Sequence, residues 1–191
     1  MTLHNFFFKY RSFTPLPFAV LLLYLADLDR WSLVSGIPLI ALGELIRLMA
    51  VRIAGGRTRT RRVGANKLAT TGIYGHVRNP LYIGNVLIYC GMAVMAGGSY
   101  WYVMVAIALA FFGLQYALII RLEEETLQQL FGAEYTEYKR NVPPLLPRWI
   151  AWQPDAGVER VPWSKVLRAE RSTLFNQVTL GLLLAIKALL A

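Results

Sequence analysis

The chain predicts an all-α, polytopic membrane fold with four to five transmembrane helices and a cytoplasmic cofactor pocket. Helix-hairpin ends and the C-terminal segment would form that pocket. Two observations carry this fold class. Of 191 residues, 56% are apolar and only 16% charged, outside the usual range of a soluble domain. In addition, the 42 residues from Asn79 to Ile120 contain no Asp, Glu, Lys, Arg or His.

The first apolar segment, Ser12 to Ala26, is uncharged but 15 residues long and carries Pro15 and Pro17, with Phe6 to Phe8 able to extend it toward the interface. It resembles a secretory signal after Lys9 and Arg11. "ADLDRW" is a poor cleavage site, so an uncleaved span is expected. The second, Trp31 to Ala54, is interrupted by Glu44, Arg47 and Arg52, whose turns then belong in protein or headgroups.

The run from Asn79 to Ile120 is long enough for two crossings of roughly 20 residues each, hinged at Gly97-Gly98-Ser99. Lipid leaves no water to pair a free backbone, so helices are the expected form. Leu122, Leu127, Leu130 and Phe131 keep helical spacing beyond the second crossing, which predicts a continuation out of the membrane with Gly132 as its stop. "AEYTEYKRN" adds one or two turns before Pro143-Pro144 forbids more. "VPPLLPRW" then reads as an extended apolar strap. Ser172 to Ile186 is a fifth uncharged stretch, so residues 172–190 form either a last span or an interfacial helix. One membrane domain, 1–191, is expected.

Residues 51–80 hold seven Lys or Arg and no acid, whereas the connections at 26–32 and 97–101 hold one Arg between them. The positive-inside rule places the 51–80 loop, the N-terminus and residues 121–171 in the cytoplasm. The net charge of +9 lies next to apolar spans, so anionic headgroups are the expected partner rather than nucleic acid. The cluster Arg57, Arg59, Arg61 and Arg62 belongs to that pattern. One cysteine, Cys90, and two distant histidines, His4 and His76, give neither an internal disulfide nor a zinc set, and no metal is expected.

Chemistry concentrates where two segments abut the hairpin. Pro80 suits a first helical position, and the amides there with Arg78 suit an anion. Arg121 and the acids Glu123, Glu124 and Glu125 come to the same depth. Helical neighbours diverge by about 100°, so at most two of those acids face one site. An anion site opposed by carboxylates suits a zwitterion such as S-adenosylmethionine.

"TTGIYGHVRNPLYIG" together with "RLEEETLQQLFGAEYTEYKRNVPPLLP" resembles the integral-membrane methyltransferases that include isoprenylcysteine carboxyl methyltransferase and the phospholipid N-methyltransferases. The first motif is matched by Gly72, Tyr74, Arg78, Asn79, Pro80 and Tyr82. The second is matched by Glu123, Glu124, Leu127, Phe131, Gly132, Tyr135 and Tyr138, and the resemblance covers residues 55–148.

The resemblance implies S-adenosylmethionine bound by Asn66, Lys67, Leu68, Ala69, Tyr74, Asn79, Pro80, Leu81, Tyr82 and Glu123, and a lipidic substrate entering from the bilayer. Arg78, Arg121 and Glu124 are the expected catalytic residues, Glu124 as proton acceptor for an ammonium substrate. The acceptor would be a phospholipid amine or an isoprenoid carboxylate. Asn66 stands where the family often has His, and Arg121 lies closer to the Glu pair than the substrate arginine of the eukaryotic prenylcysteine enzymes. A membrane sterol-type reductase using NADPH and a headgroup-binding scaffold are the alternatives.

Overall fold

The computed structural model describes residues 3–55, 67–153 and 160–190. The four-arginine cluster and Asn66 lie outside the described residues. The chain forms α1 (Leu3–Tyr10), α2 (Pro15–Leu25), α3 (Arg30–Ala54), α4 (Pro80–Ala96), α5 (Trp101–Asn141) and α6 (Trp163–Leu190), with one 3-10 turn at Gly72–Gly75. Among the described residues there is no strand, only an isolated bridge between Asp27 and Gly97.

Three helices, α3, α5 and α6, are long and apolar enough to cross a membrane. At 17 residues, α4 covers about 25 Å, the lower end of what a crossing needs. Its backbone lies directly against α3. A Cβ added at Gly43 would fall 2.6 Å from the Gly84 carbonyl, and one at Gly36 would fall 2.7 Å from the Gly91 carbonyl. Small residues at such a seam let two helices approach until their main chains touch, which is how helices associate where lipid removes the hydrophobic driving force.

The start of α3 is fixed by a reciprocal cap: Ser32 N donates to Asp29 Oδ1 at 2.7 Å and Asp29 N donates to Ser32 Oγ at 3.1 Å. The hinge between α4 and α5 falls where the sequence predicts it. Gly97 and Gly98 take φ of +65° and +70°, a region closed to most side chains, and Asp27 N donates to Ala96 O at 2.8 Å. Residues 26–29 and 97–100 therefore share one end of the bundle.

The first apolar segment departs from the single span expected. Pro15 and Pro17 lack an N–H to offer the preceding turn, so the helix ends at Tyr10 and restarts at Pro15, where proline is tolerated. The eleven residues of α2 reach about 16 Å, half the hydrocarbon thickness. Lys187 of α6 donates to the free carbonyls of Leu23 and Tyr24 at 2.8 Å, closing the C-terminal end of α2 with a cation.

As predicted, α5 runs on beyond its apolar stretch. Gly132 (φ +51°) interrupts the helix as expected: its backbone is non-helical, two helical stretches meet there at a kink, and the Gln128 and Thr136 side chains both donate to the Gly132 carbonyl. The helix ends at Asn141, just before Pro143-Pro144. Between the helices an aromatic column of Phe18, Tyr89, Phe112, Tyr116 and Tyr82 runs toward the end of the bundle opposite the glycine hinge.

Candidate active site

At the end of the bundle away from the hinge, the segment before α4 is shaped by local hydrogen bonds. Gly72 (φ +58°) lets the chain turn, and Tyr74 and His76 amides return to Thr71 and Ile73. The strap 143–152 lies along this turn: Arg78 N donates to Pro143 O, Arg148 N to His76 O and Trp152 N to Gly75 O, all near 3 Å. Asn79 Nδ2 adds a bond to Pro144 O and His76 Nδ1 one to Arg148 O. The predicted extended strap is thus held as the roof of this end.

Beneath it, Tyr138 OH donates to Tyr74 O at 2.8 Å, and Leu68, Tyr135, Tyr138 and Val142 make a small core with Trp152 against it. Burial holds the phenols of Tyr74, Tyr135 and Tyr138 well above their ordinary range, so each stays a hydroxyl. Tyr138 is thus the hydrogen-bonded fastener beneath the roof, with the Tyr135 and Trp152 rings packed against it.

The two sequence motifs meet here. Arg78 Nη2 lies 2.8 Å from Glu124 Oε1, and its Nη1 donates to the carbonyls of Lys139 and Val142 at 3.1 Å. The other oxygen of Glu124 is 3.1 Å from Lys139 Nζ. One helical step away, Glu123 points to the other side and accepts from Tyr82 OH at 2.8 Å. The Tyr82 ring lies against Tyr116, centroids 4.7 Å apart and planes tilted by 32°. As the helical angle requires, the three acids diverge: Glu123 turns to Tyr82, Glu124 to Arg78 and Lys139, and Glu125 is exposed.

The other predicted residues divide by position. Pro80 is buried at the start of α4, Leu81 is half-buried beside it, and Leu68 and Ala69 lie under the roof. Lys67 is exposed. Arg121 is not brought to Glu123: it is exposed and lines an open outer cleft of about 440 Å³ with Glu124, Glu125, Gln128, Gln129 and Lys139. One residue in the sequence separates Arg121 from Glu123, and that step on a helix turns them to opposite faces.

Three contributors gave little or no local signal. Arg11, in the break between α1 and α2, sets its guanidinium 4.1 Å over the Phe8 ring and 3.9 Å from Glu123. Lys139 completes the Glu124 pair. Glu170 of α6 is fully buried and pairs with Arg47 of α3, which also bonds Asn85 of α4, Thr173 at 3.4 Å and Glu44 at 3.7 Å. Gln177 donates to Glu44 at 3.0 Å, so the charges suspected inside the second span form one network across α3, α4 and α6. The only signal for Glu170 was a lone acid at the edge of an apolar stretch.

The sequence profile described as "Phospholipid methyltransferase" matches residues 31–134, from the start of α3 to just past the Gly132 bend. Among curated proteins, the chain is 34% identical to "Protein-S-isoprenylcysteine O-methyltransferase B" of Arabidopsis thaliana, covering 61% of this chain and 60% of the plant protein. It is 30% identical to the human "Protein-S-isoprenylcysteine O-methyltransferase", over 61% of this chain and 42% of the human one. A third relative, "Methanethiol S-methyltransferase 1" of Bradyrhizobium diazoefficiens, is 35% identical over 42% of this chain and 26% of its own length. The chain therefore spans less than two thirds of each of these relatives. No solved structure matches.

Proposed function

Because the chain belongs to the phospholipid methyltransferase family, we propose that it transfers a methyl group from S-adenosylmethionine to a lipid-soluble acceptor, at the end of the bundle where Tyr82, Glu123 and Arg11 meet. The observation that carries this reading is the meeting of the two motifs: Arg78 on Glu124 and, facing inward, Tyr82 on Glu123.

The residues present suit the donor. It carries a cationic sulfonium and amino group and an anionic carboxylate. Glu123 offers a carboxylate beside the faces of Tyr82 and Tyr116, and aromatic faces attract cations. The Leu81 amide in the first turn of α4 suits the donor's carboxylate. When bound, the donor supplies an electrophilic methyl carbon to an in-line nucleophile.

The chain's own part is alignment and exclusion of water. Tyr82 holds Glu123 in one orientation, and the strap, bonded to residues 75–79, closes over the turn that leads into α4. Glu124 has both oxygens on cations, so we assign it to fixing Arg78 rather than to accepting a proton. That favours an acceptor needing no base, such as a carboxylate, in keeping with the O-methylation in the names of the plant and human relatives. The basic 51–80 loop supports a cytoplasmic position for this end.

Isothermal titration of the detergent-solubilised protein with S-adenosylmethionine and with NADPH tests the reading. Saturable binding of the methyl donor alone is expected. Binding of NADPH with none of the donor overturns it. Mass spectrometry of lipid extract incubated with isotopically labelled donor then identifies the acceptor.

A further inference from the structure

The roof has two sides. Its inner edge is paired to the turn before α4, whereas its outer face presents apolar side chains that no described residue covers. Leu145 is 45% exposed, Leu146 82%, Ile150 79% and Trp149 fully exposed, four large apolar groups within six residues. Water is a poor solvent for such a patch.

Its depth identifies what covers it. The strap bonds to residues 75–78, and the uncharged run of α4 starts at Pro80. On α5 the same level carries Glu123, bonded to Tyr82 in the first turn of α4, directly after the apolar run ends at Ile120. Both helices thus leave the hydrocarbon at the height of the strap. The patch continues the lipid-facing surface rather than standing off in water. Its chemistry agrees: tryptophan with leucine and isoleucine is the composition of a bilayer boundary. Residues 139–150 include Lys139, Arg140 and Arg148 and no acid, which suits anionic headgroups.

We infer that Leu146, Trp149 and Ile150 are seated in the headgroup–acyl boundary of the bilayer, on the side that bears Glu123. The strap is then held from both sides, by hydrogen bonds to residues 75–78 and by lipid. This rests on the membrane fold and not on the chemistry proposed for the site, so the two readings fail separately.

Site-directed spin labelling of the full chain tests it. The chain is placed in vesicles of three parts phosphatidylcholine to one part phosphatidylglycerol, with Cys90→Ala leaving only the introduced thiol. Nitroxides are attached at Leu146→Cys and, separately, Ile150→Cys. Glu137→Cys on the exposed end of α5 serves as the aqueous reference and Leu114→Cys on its lipid-facing stretch as the hydrocarbon reference. Collision with oxygen relative to a water-soluble nickel chelate is expected to be several-fold higher at 146 and 150 than at 137, approaching the value at 114. A ratio at both strap positions equal to that at 137 overturns the inference, and leaves the patch to water or to a soluble protein partner.

Discussion

Arg78 and Glu124, 46 residues apart in sequence, are joined at 2.8 Å across the mouth of the α4–α5 hairpin. The arginine of one motif is thus the partner of an acid of the other. Its Nη1 reaches the backbone at Lys139 and Val142, where α5 ends and the strap begins. Both side chains are largely shielded. Removing one partner of such a pair leaves the other charge without compensation, whereas removing both does not. Arg78→Ala is expected to cost about 3 kcal/mol of stability. The double variant Arg78→Ala with Glu124→Ala should lose less than the sum of the two single ones, as a thermal-unfolding double-mutant cycle in detergent would measure.

Glu123 is the group most directly committed to the proposed donor. Glu123→Gln keeps the shape and removes the charge, and is expected to weaken S-adenosylmethionine binding at least about tenfold, about 1.4 kcal/mol, in isothermal titration. Tyr82→Phe should weaken it less, because it loses only the hydroxyl that orients the carboxylate. Unchanged donor affinity in Glu123→Gln would remove this carboxylate from the site.

The network of Arg47 with Glu170, Glu44 and Asn85 holds α6 to the bundle from within. Arg47→Met takes the guanidinium away from the buried Glu170 carboxylate and is expected to cost about 3 to 5 kcal/mol. Arg47→Met with Glu170→Leu should recover much of that loss, read from the unfolding temperature of the two variants side by side.

The glycine seam predicts a steric outcome. In Gly84→Ala, the new methyl would lie 2.6 Å from both the Gly43 carbonyl and the Arg47 side chain, forcing α3 and α4 apart. A loss of about 1 to 3 kcal/mol is expected. Gly113→Ala, which meets nothing within 4 Å inside α5, should not lower the unfolding temperature, because alanine favours a helix over glycine.

Gln115 presents the opposite case. It is fully buried on α5, and neither side-chain nitrogen nor oxygen has a hydrogen-bond partner among the described residues. An unmet buried amide costs on the order of 1 to 3 kcal/mol. Gln115→Leu is therefore expected to raise the unfolding temperature.

The parts of this arrangement that local chemistry dictates were legible in the sequence. An uncharged run with two glycines at its middle specifies a hairpin, Pro80 a helix start and Pro143-Pro144 a helix end. Motif spacing led to Arg78, Tyr82 and Glu123. What the sequence did not disclose depends on partners far along the chain. Glu170 meets Arg47 across 123 residues, and Arg11 meets Glu123 across 112, separations at which residue types alone name no partner. Arg121 shows a related limit: a two-residue step along a helix reverses the direction of a side chain, so it faces the outer cleft with Glu124 and Glu125 while Glu123 turns to Tyr82.

Close main-chain approach at Gly36, Gly43, Gly84 and Gly91, with the Ile40, Arg47, Ile88 and Met95 side chains packed tightly against those glycines, leaves α3 and α4 little room to shift against each other. Accommodation of guests of different girth must then come from the other walls: the jointed N-terminal helices that bring Arg11 inward, and α6, which is tethered to the rest by polar contacts at Lys187 and Glu170. Variation in substrate size among close relatives should accordingly be written in those flanks and not in the glycines.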